Sequence, residues 1–450
     1  MPPEATTSFA PASTAPDVAP GVEIWAGDVA GQMIEFQLTV DAAGTITGFV
    51  ASPSVEAPDV PINGVIDDGA VTIKVPAVEV VFEGAVDGPT MAGTWYQSGA
   101  EVPAVFELRD APLVLARPQE PAPPFPYEAI DVRFENGAIS LAGTLVVPEG
   151  EGPFPAVVFA SGSGSQDRDE TIVGHKPFLV ISDAFALAGI ASLRFDDRGI
   201  GGSTGDPVGA TTADLATDTA AAVQFLADDG RFNSIGIVGH SEGGIIGPMV
   251  ANGSDLIDSV VLLAGPGLPG LDVLLRQTED LMRVEGAPEA DIAWQTSWRR
   301  EIMEISASSA PADDAAEAIR SIVDAALENP PAGVTETLDP SMADQFVTAF
   351  TDPWMRFFLA YDPAPALEDL DIPVLALIGS LDVQVSAEEN IPALEAALAG
   401  NGDATVSDLE GLNHLFQNAE TGAVSEYTRI EETFSPEAID LITTWILERS

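Results

Sequence analysis

Gly239-His240-Ser241-Glu242-Gly243 is the stretch that decides how this chain is read. Ahead of it, Ser234-Ile235-Gly236-Ile237-Val238 has the make-up of a short buried strand. Behind it, Gly243 to Val250 reads as the start of a small-residue helix. A serine in a G-x-S-x-G frame between a strand and a helix is the sequence form of a nucleophile elbow. So sharp a turn leaves no room for side chains two residues to either side, and glycine stands at both places. The turn lifts the Ser241 hydroxyl clear of the sheet and aims the first helical N–H groups at the same point.

Outward from the elbow, strands alternate with helices. A hairpin, Ile130 to Asn136 and Ile139 to Val147, leads into the strand Ala156 to Ala160. A helix over Lys176 to Ala188, a strand over Ile190 to Phe195 and a helix over Thr211 to Ala227 precede the elbow, and the strand Ser259 to Leu263 follows it. Strands resume at Pro373 to Ile378 and Ala404 to Leu409, and the helix Pro436 to Leu447 comes last. This rhythm predicts a mostly parallel sheet with helices on both faces, an α/β domain over about 128–450. Residues 266–365 break the alternation with helical patterning and many aromatics. An insertion of that length is too long for a loop and predicts a helical cap. Most of its aromatics read as the cap's own core, and Trp294, Trp298, Trp354 and Phe358 are candidates for a substrate pocket.

Upstream, residues 22–110 carry short alternating segments such as Met33 to Val40, Thr45 to Ala51, Ala70 to Val75, Val78 to Glu83, Met91 to Tyr96 and Ala104 to Leu108. These predict a small antiparallel β domain, a barrel or a sandwich. The proline-rich stretch 111–127 reads as a semi-rigid linker. Residues 1–21, rich in Pro, Ala, Ser and Thr, read as a disordered leader. A removed secretion or lipoprotein signal ahead of that leader, with Met1 added, would place the protein outside the cell or at its envelope; a cytoplasmic location is the alternative.

The composition narrows the partners. With 71 acidic residues against 17 basic ones, the formal net charge is -54, which repels nucleic-acid phosphates and anionic membrane. The bland reading is a surface adapted to high salt; recruitment of a cationic partner is the alternative, without a localised acidic tail to support it. No apolar run is long enough to span a membrane. There is no cysteine, so disulfides and thiolate metal sites are excluded. Monomer and dimer are equally compatible with the sequence.

A serine hydroxyl needs a base, and the base needs an acid to fix its tautomer. Only three histidines occur. His240 adjoins the nucleophile, with its side chain expected to point away along the elbow. His175 lies in the loop after Asp167-Arg168-Asp169-Glu170. His414 follows the last strand, and loops after strand C-termini gather at the catalytic edge of such a sheet. His414 is therefore the preferred base and His175 the alternative. The acid belongs on the loop after the preceding strand, where Ile378-Gly379-Ser380-Leu381-Asp382 offers Asp382. The order Ser241, Asp382, His414 is the one found on α/β-hydrolase folds. The oxyanion hole needs two backbone N–H groups, one from Glu242 and one from the loop Ser161-Gly162-Ser163-Gly164-Ser165. Ser163 is preferred there, with Gly164 close behind; Gly162, Gly164 and His240 also count as candidate pocket residues. The loop lacks the GK[ST] ending of a phosphate-binding loop, and no metal site is expected.

The segments Ser161 to Glu170, Arg194 to Ser203 and Gly239 to Gly244, together with Asp382-Val383-Gln384-Val385 and Asn413 to Gln417, resemble the EstD-type family of bacterial serine carboxylesterases over about 160–420. The resemblance implies an α/β-hydrolase with a helical cap, a small N-terminal β domain, and cofactor-free hydrolysis of short-chain acyl esters as small-molecule substrates. Two departures stand out: Ser165 replaces the usual proline, and Ser161 stands where many other α/β-hydrolases have histidine. Arg168 and the Asp196-Asp197-Arg198-Gly199 segment read as pins between loops, with contact to a substrate carboxylate as the alternative. Thioesterase or acyltransferase, serine peptidase and polyesterase chemistry stay open beside the esterase, as does a binding protein on a hydrolase scaffold.

Overall fold

Short strands broken by glycine and proline pairs bury one face each, and rolling the sheet onto itself removes both edges. The first eight strands do this. In the computed structural model, which describes residues 21–29, 32–51, 60–97, 100–112, 116–335 and 342–450, β1 (Glu23–Val29), β2 (Gln32–Val40), β3 (Thr45–Ala51), β4 (Val60–Asp67), β5 (Ala70–Val75), β6 (Val80–Asp87), β7 (Thr90–Gln97) and β8 (Ala100–Arg109) pair antiparallel in chain order. β1 closes on β8, so the fold is a barrel rather than a sandwich. Trp25, Phe36, Ile73, Phe82, Met91, Trp95 and Phe106 fill it, with the Phe36 and Phe106 rings 4.9 Å apart.

Two of these strands, β1 and β4, are not among the segments singled out from the sequence. In β1, Gly27 sits where a Cβ would lie 2.0 Å from the Val105 carbonyl oxygen across the closing seam. β4 contains Pro61 and Gly64, which mask its strand character. The strand expected from Val78 starts at Val80, because Pro76–Val78 forms a tight 3₁₀ turn and Glu79 takes φ 53°. The expected leader lies outside the described residues except for Gly21.

The chain divides into two compact units, the barrel and a larger α/β unit. Part of the stretch expected as a linker belongs to the larger unit, fastened by the Gln119 amide, which accepts from the Thr433 N–H (2.6 Å) and donates to the Phe434 carbonyl (2.7 Å). Residues 113–115 of that stretch lie outside the described residues.

The larger unit is built on β9 (Glu128–Asn136), β10 (Ile139–Val147), β11 (Phe154–Ala160), β12 (Ala191–Phe195), β13 (Phe232–His240), β14 (Ser259–Leu263), β15 (Val374–Gly379) and β16 (Ala404–Leu409). Their spatial order is β16-β15-β14-β13-β11-β12-β10-β9. Every pair from β12 to β16 is parallel, and the β9–β10 hairpin joins β12 antiparallel, giving a mixed sheet. The helices α1 (Pro177–Ala188), α2 (Thr212–Asp229) and α3 (Gly243–Ala251) follow β11, β12 and β13. Among the described residues six helices lie between β14 and β15: α4 (Gly270–Val284), α5 (Glu289–Ala307), α6 (Ala312–Glu328), α7 (Met342–Thr351), α8 (Pro353–Ala360) and α9 (Ala364–Glu368). α10 (Ala387–Ala397) precedes β16, and α11 (Pro436–Leu447) follows it.

Alternate side chains of a strand face opposite ways, so the near-continuous apolar runs of the central strands feed two cores. Val158, Ile237, Leu262 and Ala376 meet Val223 and Leu226 of α2, Ile246 of α3 and Leu394 of α10. Val157, Phe159, Val261 and Leu377 meet Phe178, Ile181 and Phe185 of α1 and Ile442 and Trp445 of α11. α2 begins with a capping box, in which Thr211 and Asp214 satisfy each other's backbone N–H groups. The helices between β14 and β15 have an apolar cluster of their own, built on Trp294, Trp298, Ile302, Ile319 and Val323.

Candidate active site

The parallel strands end along one edge, and the loops after β11, β13, β15 and β16 meet there. At the end of β13, Ser241 holds φ 53°. A left-handed conformation costs a residue other than glycine about 1–2 kcal/mol, and the surroundings hold it in place. The Ser241 N–H donates to the Leu263 carbonyl at 2.8 Å, and its own carbonyl accepts from the Gly244 N–H at 2.9 Å. A Cβ at Gly239 would lie 2.0 Å from the Gly243 carbonyl oxygen, and one at Gly243 would lie 2.0 Å from that of Ala160. Strand and helix approach closely enough that only glycine fits at either place.

The loops after β15 and β16 are tied side by side by the Leu381 N–H, which donates to the Leu412 carbonyl at 2.9 Å. This brings Asp382 and His414 together: the His414 Nδ1–H donates to Asp382 Oδ2 at 2.8 Å. The other Asp382 oxygen accepts from the Gln384 and Val385 N–H groups, both at 2.8 Å. Asn413 shapes the turn that carries His414 by accepting from the Leu415 N–H (3.0 Å) and the Gln417 N–H (2.9 Å). With Nδ1–H on the carboxylate, the neutral His414 ring carries its free lone pair on Nε2, and that atom has no hydrogen-bond partner among the described residues. His175 takes a different place. It is fully buried, its Nε2–H donates to the Tyr427 carbonyl at 2.8 Å, and its Nδ1 accepts from the Thr433 hydroxyl at 3.1 Å. Burial pushes its pKa down to about 4, so it is a neutral structural histidine.

The loop after β11 is pinned from below. Gly162 donates its N–H to Glu170 Oε1 at 2.6 Å, which takes that group out of use as an anion donor. Ser161 Oγ donates to Asp197 at 3.0 Å, and the Gln166 N–H to the same carboxyl at 2.9 Å. The backbone N–H groups of Ser163 and Glu242 have no hydrogen-bond partner among the described residues.

His240 does not point away along the elbow. Its ring is buried, with Nδ1 3.0 Å from Glu170 Oε1 and Nε2 2.9 Å from the His414 carbonyl oxygen. Both nitrogens are occupied, so the ring is a brace under the site and not a pocket wall.

Two carboxyl groups are buried beside the elbow without a basic partner among their contacts. Burial pushes Glu242 above the ordinary glutamate range, opposed by hydrogen bonds from Thr212, Trp354 and Ser163. Its Oε1 accepts from Thr212 Oγ1 at 2.6 Å and from Trp354 Nε1 of α8 at 2.8 Å. Burial likewise pushes Asp197 up to about 7, against the two donors above and with Glu242 and Glu170 adding to the rise. Arg168 and Arg198 serve as pins. Arg168 grips Asp196 with Nε (3.0 Å) and Nη2 (2.8 Å), and Arg198 Nε holds Asp218 at 2.7 Å.

A cavity of about 320 Å³ opens beside the loop after β11, walled by Gly164, Ser165, Asp197, Val208, Leu215 and Trp354 among others. Of the aromatics expected in a pocket, Trp354 is on its wall. Phe358 stacks on Trp354 at 5.4 Å from behind, whereas Trp294 and Trp298 are buried in the apolar cluster of the inserted helices. Glu170 and Asp197 are the functional-site neighbours that sequence reasoning did not single out. The signal available for them was only their place in two acidic runs.

A mixed α/β sheet with a strand–serine–helix elbow and an Asp–His pair at its carboxyl edge defines an α/β-hydrolase. The model of the alpha/beta hydrolase family matches residues 157–426, more than half of the chain, and the protein belongs to that family. It is similar to Esterase EstD of Thermotoga maritima, at 26% identity over 309 residues, which span 68% of this chain and 66% of that protein. Among solved structures, it matches the Pyrococcus furiosus esterase Pf2001 at 16% identity, covering 72% of this chain and 91% of that one with a TM-score of 0.43. It also matches Est1E from Butyrivibrio proteoclasticus with ferulic acid bound, at 16% identity, 71% and 98% coverage and a TM-score of 0.42.

Proposed function

We propose that the protein is a serine carboxylesterase that hydrolyses short-to-medium acyl esters through an acyl-enzyme on Ser241. The observation that carries this reading is the Asp382–His414 pair, whose 2.8 Å bond turns the His414 Nε2 free for a proton at the edge where the elbow holds Ser241. The similarity to an esterase over 309 residues supports it. In the reaction Ser241 Oγ attacks the ester carbonyl carbon as its proton passes to His414 Nε2. The carbonyl oxygen becomes an oxyanion, held by the N–H groups of Glu242 and Ser163. The alcohol leaves with the proton from His414. Water, deprotonated by His414, then attacks the acyl-enzyme and releases the acid and Ser241. Asp382 keeps the imidazole in the tautomer that both steps require.

The helices between β14 and β15 act in this reading as a cap that supplies one pocket wall. Trp354 has that role, because it is bonded to the residue after the nucleophile and faces the 320 Å³ cavity. A pocket of that size, with Val208, Leu215 and Trp354 on its walls, suits a small acyl or alcohol group and not a polymer chain.

Ser241→Ala tests the assignment. Members of such a triad act as a unit, so the variant is expected to lose at least about 10⁴-fold in kcat on p-nitrophenyl butyrate. A fluorophosphonate probe should add mass to the Ser241 peptide of the parent protein alone. Retained hydrolysis in a folded Ser241→Ala variant overturns the reading.

A further inference from the structure

With Glu170 ionised, His240 sits between two acceptors. Its Nδ1 faces a carboxylate oxygen of Glu170 at 3.0 Å, and its Nε2 faces the carbonyl oxygen of His414 at 2.9 Å. The same Glu170 oxygen already accepts from the Gly162 N–H at 2.6 Å. A neutral imidazole has one N–H and would leave one of its two bonds unmade in a buried place, at the cost that an unsatisfied buried acceptor carries. An imidazolium makes both.

We propose that Glu170 and His240 form a buried carboxylate–imidazolium pair that positions the reacting groups, fastening the oxyanion loop to the loop that carries His414. This rests on the esterase reading above. Glu170 and His240 are both buried, and the charged or titratable groups around the His240 ring are Glu170, Asp382 and the His414 imidazole. Burial, the largest influence, depresses the His240 pKa; the charge and hydrogen bond of Glu170, the His414 carbonyl and the Asp382 charge together outweigh it and hold the ring above the ordinary histidine range. The backbone is shaped for the contact. Glu170 takes φ 52°, and the turn before it is held by Asp167, whose carboxylate accepts from the Asp169 and Thr171 N–H groups, each at 3.0 Å. A Cβ on Gly162 would lie 3.1 Å from Glu170 Oε1 and 3.2 Å from Ser241 Cβ, so Gly162 is wedged between the carboxylate and the nucleophile.

The pair has two consequences for catalysis. By occupying the Gly162 N–H it fixes the Ser161–Gly162 peptide, one unit ahead of the peptide that carries the second oxyanion donor. By binding the His414 carbonyl it fixes the backbone of the base, and its ring, centred 4.9 Å from that of His414, stands between the two loops. Neither Glu170 nor His240 touches substrate in this scheme. They are positioning residues.

Three histidines make the charge state directly measurable. With ¹⁵N-histidine in the parent protein at pH 8, one ring is expected to show both nitrogens protonated, and that signal should vanish in His240→Gln. A neutral His240 ring at pH 8 overturns the proposal, and this measurement needs no variant to be active. In kinetics, Glu170→Gln removes the charge while keeping an acceptor for Gly162. It should lower kcat by about 10- to 100-fold with KM within about threefold, as expected of displaced reacting groups. His240→Gln should cost about as much, and the double variant little more, because the two act together. Folded single variants with unchanged kcat, or costs that multiply in the double variant, refute the positioning role. If Ser241→Ala keeps its activity while His240 is an imidazolium, the esterase reading fails and the ion pair stands. If Ser241→Ala is inactive and His240 is neutral, the ion pair alone fails.

Discussion

Glu242 offers the sharpest test of how the elbow is tied to the inserted helices. Its carboxyl is buried, and one oxygen accepts from both Thr212 Oγ1 (2.6 Å) and Trp354 Nε1 (2.8 Å). Glu242→Ala takes that acceptor from two donors. A buried donor left without a partner costs about 1–3 kcal/mol. The Thr212 hydroxyl can turn elsewhere, and removing a carboxyl that burial disfavours recovers part of the loss. The net expectation is about 2–4 kcal/mol of destabilisation. Glu242→Gln keeps the accepting oxygen and should lie within about 1 kcal/mol of the parent. The sign of its pH dependence follows from the raised pKa. The folded protein holds the Glu242 proton more tightly than the unfolded chain, so this contribution is present below the ordinary glutamate pKa and lost as pH rises through the raised value. Glutamine has no such loss, so Glu242→Gln should gain on the parent as pH rises. Urea unfolding followed by far-ultraviolet circular dichroism at pH 5 and pH 8 reads both effects. A cycle with Trp354→Phe should give a coupling of about 1–2 kcal/mol between the two positions. Equal costs for the Ala and Gln variants, or a coupling of zero, would refute this account of the tie.

The remaining predictions concern Asp197 and the elbow glycines. Burial holds the Asp197 carboxyl up at about 7 from an ordinary value of 3.8, a shift worth about 4 kcal/mol as an order of magnitude. Between those two pH values the unfolded chain gives up this proton and the folded protein keeps it, so stability falls with rising pH and levels off above the upper one. Asp197→Asn should shrink the drop in Tm between pH 5 and pH 8, and an unchanged drop contradicts the assignment. Gly243→Ala places a methyl 2.0 Å from the Ala160 carbonyl oxygen and should abolish soluble, folded protein; Gly400→Ala meets nothing within 4 Å and should leave Tm within a degree or two. Soluble yield and Tm of the pair decide the point.

The parts of the site that were legible in the sequence follow from chain order. A parallel sheet puts the ends of successive strands on one edge, so Asp382 and His414 could be placed from the strands before them without any contact being known. The choice between His414 and His175 came from position alone. The physical separation, a neutral histidine closed in by Tyr427 and Thr433, depends on residues more than 250 positions away in the chain. Glu170 was illegible for a similar reason. Its carboxylate reaches the Gly162 N–H and His240 because a left-handed residue turns it back under the sheet, and nothing in an acidic run marks which member will do so. The aromatics of the inserted helices show the limit of composition. Trp294, Trp298 and Trp354 are alike as letters, and only helix packing sends the first two inward and the third to the cavity. In β1, Gly27 answers the close approach at the β1–β8 seam and so interrupts the alternation that marks a strand.

The excess of acid and the electrostatics of the site obey different physics. A net charge of -54 is mostly a matter of solvated carboxylates, whose mutual repulsion salt screens over a Debye length of about 8 Å at physiological ionic strength. Five further carboxyl groups, on Glu170, Asp196, Asp197, Glu242 and Asp382, are buried around the loops that carry Ser241, and dissolved ions do not reach them. Each has internal partners, with the second oxygens of Glu170 and Glu242 left unbonded among the described residues. Asp196 is gripped by Arg168, Asp382 by the His414 Nδ1–H and two backbone N–H groups, and Glu170 by the Gly162 N–H and the His240 ring. Asp197 and Glu242 have hydrogen-bond donors but no basic side chain among their contacts with the described residues, and burial raises the pKa of both, which favours the protonated form. A chain with two lysines and fifteen arginines in 450 residues has few cations to bury. Protonation and backbone N–H groups are the means that such a composition leaves for closing an acid-rich site.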